Sequence, residues 1–184
     1  MIKQQGTTLL ELLTVLVIST TIVLSLPNFS KLLDREAINS DAFHLKKLLA
    51  TARAEAVRSN VNVVVCPLSE QSCGSDWGQT LTIFTDNNND EEFNGEDRVI
   101  KVWPENERAV DLSWNNRRYL RFKATGLNKD PGTFTLCPKQ GEQEDKDELA
   151  IMLTINMGGR SYFQRDIDGD GIVEKSGKKL SCDG

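Results

Sequence analysis

The chain has 184 residues and a formal net charge of −5. That suits one globular domain with an appendage and argues against wholesale electrostatic binding to nucleic acid or anionic lipid. The four cysteines, Cys66, Cys73, Cys137 and Cys182, form an even set without the C-x-x-C spacing of a zinc or redox site. A structural disulfide framework in an oxidising compartment is therefore expected.

From Thr7 to Leu26 runs an apolar stretch of 20 residues whose only charge is Glu11. At 1.5 Å per residue such a helix spans roughly 30 Å, about one bilayer core, so a transmembrane helix is expected over residues 7–27. Lys3 is the only basic residue ahead of it, and Leu26-Pro27 is a poor context for a secretory cut. Glu11 is the anomaly, because a carboxylate in an apolar helix costs about 2.5–3.5 kcal/mol on insertion scales and needs a partner. A cut after Gly6 would expose an α-amino group at Thr7, one helical turn from Glu11. On a neighbouring copy that amine would neutralise the acid, fixing register more than adding stability.

The run Gly6-Thr7-Thr8-Leu9-Leu10-Glu11-Leu12 resembles the class III signal of type IV pilins and type II secretion pseudopilins, G-F-T-L-I-E-L, with Thr7 where that family usually has Phe or Met. The resemblance implies a leader over residues 1–6, cut after Gly6 by a membrane prepilin peptidase, with Thr7 as the new N-methylated terminus and Glu11 as the assembly glutamate. It further implies a single-pass bacterial inner-membrane protein with a periplasmic domain, which passes into a pilus or pseudopilus on assembly.

Pro27 should kink or loosen the helix. Helical periodicity then resumes, with Ala42, Leu45, Leu48, Leu49, Ala52 and Ala56 at spacings of three and four, an amphipathic helix over residues 28–59. The single histidine, His44, lies among these helix formers and is expected on an exposed face. After Asn60 come short runs rich in Val, Ile, Thr and aromatics: VNVVVCP, QTLTIFT, RVIKVW, VDLSW, YLRFKA, TFTLCP, AIMLTIN and RSYFQ. Their close spacing leaves no room for crossover helices, so residues 60–184 are expected as a mainly antiparallel β domain. The fold class is α+β, with a long N-terminal helix, half transmembrane and half amphipathic, packed on that sheet. The acidic run GEQEDKDE from Gly141 is expected as a mobile loop.

The β region is similar to the GspH/FimT branch of minor pilins and pseudopilins. The similarity is carried by Cys66, Trp77-Gly78, Phe84-x-Asp86, Gly132-x-Phe134 with Cys137, and Gly159-Arg160. It implies a FimU-like minor pilin that joins a priming or tip complex, or alternatively a GspH-like pseudopilin of type II secretion or a FimT-like DNA receptor. Implied partners are other minor pilins, the major pilin or pseudopilins, the prepilin peptidase and the inner-membrane assembly platform. Pairing Cys66 with Cys73 and Cys137 with Cys182 is the simplest arrangement; the sequence leaves all three connectivities open.

Two constellations carry other chemistry. Asp166, Asp168 and Asp170 alternate before Gly171 like the first half of a calcium loop. The twelfth place is Gly177, although Glu174 could substitute from nearer; a polar turn with Asp side chains capping backbone amides is the competing reading. DNNNDEEFNGED from Asp86 has a similar pattern but places Glu91 where the sharp-turn glycine belongs, and reads as a turn. No cofactor is required by the sequence, and calcium is the one candidate. In NNRRYLRFK, strand alternation puts Arg117, Tyr119, Arg121 and Lys123 on one face, a surface on which DNA could lie together with Arg160. DNA is not the expected partner: the Gly-Arg-x-Arg tail motif of DNA-binding relatives stops at Gly159-Arg160-Ser161-Tyr162, and five acidic residues lie in the 141–148 run. No nucleophile stands in a recognised setting and no glycine-rich phosphate loop follows a strand, so an enzyme is not expected.

Overall fold

Helix α1, Leu9–Leu24, begins at Thr8, whose Oγ1 accepts the Glu11 N–H at 3.3 Å. This is the N-cap half of a T-x-x-E capping box, and it places Glu11 in the first turn, where the helix dipole favours an acid. Farther along, the hydroxyls of Thr14, Ser19, Thr20 and Thr21 donate to carbonyls three or four residues back. These hydroxyls are thus satisfied within the helix. The computed structural model describes residues 8–24, 29–175 and 177–182; the cleavage expected between Gly6 and Thr7 and the kink expected at Pro27 lie outside them. Two units are distinguished, Met1–Leu33 and Asp34–Gly184.

One expectation is corrected here. With 16 residues, α1 reaches only about 24 Å at the α-helical rise, short of a ~30 Å hydrocarbon core. Among the described residues no helix is long and apolar enough to cross a membrane. The expected transmembrane half of the fold, and the single-pass inner-membrane location drawn from it, do not stand. The physical reason is that the described apolar helix ends at Leu24, while the next helix carries Lys31, Asp34, Arg35 and Glu36 from its first turns onward.

That next helix, α2, Phe29–Ser59, buries Ile38, Ala42, Leu45, Leu49, Ala52 and Ala56. Their alternating spacing of four and three is one face of an α-helix. The helix stops at Asn60, whose φ of +54° is the left-handed cap that asparagine tolerates.

Two antiparallel sheets pack under α2. In the first, β1 (Asn62–Ser69) is central. It pairs with β2 (Ser72–Cys73) at Leu68 and Ser69, with β3 (Leu81–Asp86) along its length, and with β6 (Leu120–Phe122) at Val63, Val64 and Val65; β4 (Val99–Trp103) flanks β3. The second runs β5 (Val110–Trp114), β7 (Gly132–Pro138), β8 (Ile151–Ile155), β9 (Ser161–Phe163). Strand alternation divides the side chains. Val63, Val65, Leu81, Ile83, Phe134, Leu136 and Leu153 join α2 in the main core. Val64, Cys66, Cys73 and Phe84 form a smaller cluster on the other face of the first sheet, with Phe93 and Tyr119 against it.

Disulfides join Cys66 to Cys73 and Cys137 to Cys182, at sequence separations of 7 and 45. The second ties β7 to the C-terminal tail, where β10 (Glu174–Lys175) and β11 (Lys178–Lys179) form a short hairpin. The acidic run expected as a loop is instead helix α3, Gln143–Leu149. Glu144 and Asp145 occupy its first turn, which suits the helix dipole. Asp147 accepts the Cys182 N–H at 2.7 Å, so the tail docks on it. His44 is half-buried rather than exposed, stacked on the Trp103 indole at 4.9 Å between centroids.

Candidate functional site

Four places carry candidate functional side chains. On α1 the aliphatic residues are open to the surroundings, from Leu9, 82% exposed, through Leu10, Leu12, Leu13, Leu16 and Val17 to Ile18, 58% exposed. Exposure on every side of a helix leaves no face reserved for water, and a patch of this extent marks an interaction surface. Glu11 is the single charge in it.

On α2, the side away from the core borders a groove of about 630 Å³ lined by Ala50, Arg53, Ala54, Val57, Arg58, Gly159, Arg160 and Ser161. Two tight turns close on this helix. Gly126 (φ +76°) and Gly159 (φ +72°) adopt backbone that other residues rarely hold, and Arg53 Nε donates to the Gly126 carbonyl at 2.9 Å. Hydrogen bonds from Arg58 and Arg98 hold the Glu55 carboxyl down at about 2.

Two cations of the expected basic stripe are held in ion pairs. The Arg121 side chain is only 9% exposed and ion-paired with Glu91, and Arg117 pairs with Asp130 at 3.2 Å. Lys123 is exposed, and Arg160 lines the α2 groove instead of joining β6. Burial pushes the Asp130 carboxyl up against the pull of Arg121 and Arg117.

At the tail, ligand-capable oxygens of Asp166, Asp168, Asp170 and Glu174 lie within 4.8 Å of one another, a surface acidic cluster able to hold a cation. Each acid already has a role in the turn. Asp166 accepts the N–H groups of Gly169 and Gly171, Asp168 that of Asp170, Asp170 that of Ile172, and Glu174 that of Ile167. Lys179 reaches Asp170 and lies 3.9 Å from Asp168. Its ammonium, followed by the Ile172 amide, lowers the Asp170 carboxyl.

Comparison with known proteins bears on these geometries. The family model described as Type II transport protein GspH matches residues 42–159, more than half of the chain. The chain belongs to the GspH/FimT family. It is a family of minor pilins and pseudopilins, with a structural rather than an enzymatic role. Among solved structures, the type IV minor pilin FimU of Pseudomonas aeruginosa is similar at 23% identity and a TM-score of 0.52, over 80% of this chain and 96% of that one. A second crystal form of FimU gives 22% and 0.48, over 78% and 98%. No curated protein matches the chain.

The residues that carry the GspH/FimT resemblance are largely packing residues. Trp77 meets Phe134 edge-on at 5.1 Å, and Gly132 lies where a Cβ would fall 2.5 Å from the Trp114 ring. The Gly78 carbonyl accepts from Arg108, a buried guanidinium that also bonds the Trp77 carbonyl at 3.1 Å and lies over Trp103. Sequence reading passed over Arg108 and Asp41, whose carboxylate accepts the Ala109 N–H at 2.7 Å. No local pattern marks either, because their partners are remote in the chain. The Thr8 cap was readable, since T-x-x-E ahead of an apolar run is a known start signal.

Proposed function

We propose that this chain is a FimU-like minor pilin, a structural subunit of the priming or tip complex that starts a type IV pilus. The observation that carries the reading is α1, a helix with exposed aliphatic side chains and one acid in its first turn. Burying such a helix among those of neighbouring pilins removes apolar surface from water, at about 25 cal/mol per Å². Cleavage after Gly6 leaves Thr7 as the amino terminus, and Glu11 of one subunit accepts the amine of the next. The neighbours are other minor pilins and the major pilin. The GspH family match supports a second placement, as a minor pseudopilin of type II secretion; the subunit chemistry is the same in either machine. The all-oxygen cluster at Asp166, Asp168, Asp170 and Glu174 suits calcium among biological cations, with Lys179 displaced.

Two substitutions test the assembly reading. Gly6→Arg is expected to leave Met1 in place by intact-mass measurement of protein from cells that hold the peptidase, while the parent chain begins at Thr7. Glu11→Ala is expected to be cut normally yet to be lost from sheared filaments. Recovery of the Glu11 variant at parental levels overturns the pairing, and an unprocessed parent chain overturns the cut.

A further inference from the structure

Between β3 and β4 runs the segment Asp86-Asn87-Asn88-Asn89-Asp90-Glu91-Glu92-Phe93-Asn94-Gly95-Glu96-Asp97. Only Phe93 and Gly95 in this run lack a side-chain oxygen, and the ligand places of a twelve-residue calcium loop, the first, third, fifth, ninth and twelfth, are filled by Asp86, Asn88, Asp90, Asn94 and Asp97. The objection from sequence is Glu91, in the sixth place, where such loops turn on glycine. Yet Glu91 has φ +68°, the left-handed backbone that glycine would supply. Its carboxylate is anchored by the ion pair with the nearly buried Arg121, which holds a non-glycine residue in that strained conformation.

Spacing and turn geometry alone describe a polar hairpin. Asp86 is what points to a ligand. It is 1% exposed and sits at the end of β3, next to Phe84 of the small apolar cluster. One carboxylate oxygen, Oδ1, accepts the Asp90 N–H at 3.1 Å. The other, Oδ2, is buried and has no hydrogen-bond partner. Native proteins seldom leave such an atom unanswered. Burial and the like charges of the Asp97 and Asp90 carboxylates disfavour the ionised form of Asp86, while the backbone amides of Asn89 and Glu91 favour it, and no cationic side chain is among these groups. A buried carboxylate oxygen without a hydrogen-bond partner, in a loop with two further acids whose charges act on it, suits a cation.

We propose that the β3–β4 loop binds a divalent cation of the calcium class, with the unpartnered Oδ2 of Asp86 as its innermost ligand and Asn88, Asp90, Asn94 and Asp97 as the remaining side-chain donors. In the structure, Asn88 and Asn94 each donate an Nδ2 hydrogen to Asp90 Oδ2 at 2.7 Å. Asp97 accepts the N–H groups of Asn87 and Asn94. Turning the two amides over would present their oxygens instead, so loading is a side-chain rearrangement on a backbone that is already bent. Three carboxylates against two positive charges and a mixed carboxylate–amide donor set suit calcium, which accepts irregular oxygen shells, better than magnesium, which demands a near-ideal octahedron. The 166–174 cluster differs on the deciding point, since none of its carboxylate oxygens is among the buried atoms without a partner.

The test uses the full chain in a mild detergent that covers α1, carrying Asp168→Asn and Asp170→Asn to silence the tail cluster. Calorimetric titration with calcium chloride after chelator treatment is expected to give one site with Kd of about 1 mM or tighter, within the range of extracellular calcium modules, and calcium is expected to raise the Tm. Adding Asp86→Asn, or separately the exposed Asp90→Asn, is expected to weaken binding about tenfold or more. The Asp90 variant keeps the test valid if the buried substitution perturbs folding. Absence of both heat and Tm shift up to ~10 mM calcium, ten times the weak end of that range, overturns the proposal. So does undiminished binding by a folded Asp86 or Asp90 variant.

Discussion

Gly159→Ala tests how the turn before β9 is held against α2. At φ +72°, any residue with a Cβ pays about 1–2 kcal/mol for left-handed backbone. The added methyl would also overlap the Gly126 carbonyl oxygen and stand 2.9 Å from Arg53 Nε. It would therefore wedge apart the hydrogen bond between these two groups, a charged-donor bond of about 1.5–3 kcal/mol. Together the expected loss is about 2.5–5 kcal/mol, or roughly 5–20 °C in Tm for a chain of this size. Urea titration followed by circular dichroism reads it, with Gly158→Ala as the control. The Gly158 Cβ would meet the Asn156 side chain at 3.2 Å without positive φ, and its cost should stay near the ~0.5 kcal/mol typical of surface changes. If Gly159→Ala and Gly158→Ala melt together, the steric and conformational account of this turn is wrong.

Two further outcomes are expected from the same assay. Replacing Cys137 and Cys182 by Ser, which opens a loop of 45 residues, should cost about 4 kcal/mol by chain entropy. The same change at Cys66 and Cys73, separated by 7, should cost only about 2 kcal/mol; equal losses would refute a loop-length origin. Asp86 gives a pH dependence. Burial, then the Asp97 and Asp90 carboxylates, raise its carboxyl above the ordinary 3.8, so between those two values the folded chain binds more protons than the unfolded one. Stability from this group is therefore greatest in acid and falls as pH rises through the folded value. Without calcium, Asp86→Asn should stabilise the chain more at about pH 7.5 than at about pH 4, measured as the difference in urea midpoints; a difference that does not change with pH would show that the carboxyl is not strained by its surroundings.

Much of the fold was legible because it follows short periods. The α2 stripe obeys spacings of three and four. The eight longer strands carry β-branched and aromatic residues between turn clusters, and their antiparallel pairing follows from short connections. What escaped depends on distance. Two-residue strands such as β10 and β11 have no period to read, and α3 is charged nearly throughout, its place fixed by the tail that Cys137 and Asp147 hold. Hydropathy counts the whole apolar run over residues 7–26, long enough to span a bilayer, whereas the described helix α1 covers Leu9–Leu24. Alternation put Arg117 and Arg121 on one face of a strand, but could not reveal that Asp130 and Glu91 come to meet them. For the same reason Glu91 looked like a misplaced residue in a calcium pattern, although its partner lies 30 positions away.

The inward-turned hydroxyls of α1 have a mechanical consequence. Thr14, Ser19, Thr20 and Thr21 spend their donors on their own backbone, so in the proposed bundle the shaft would be smooth to an adjacent rod and would slide along it with little preference for height. A lone carboxylate near one end is then the single notch on an otherwise unmarked ruler.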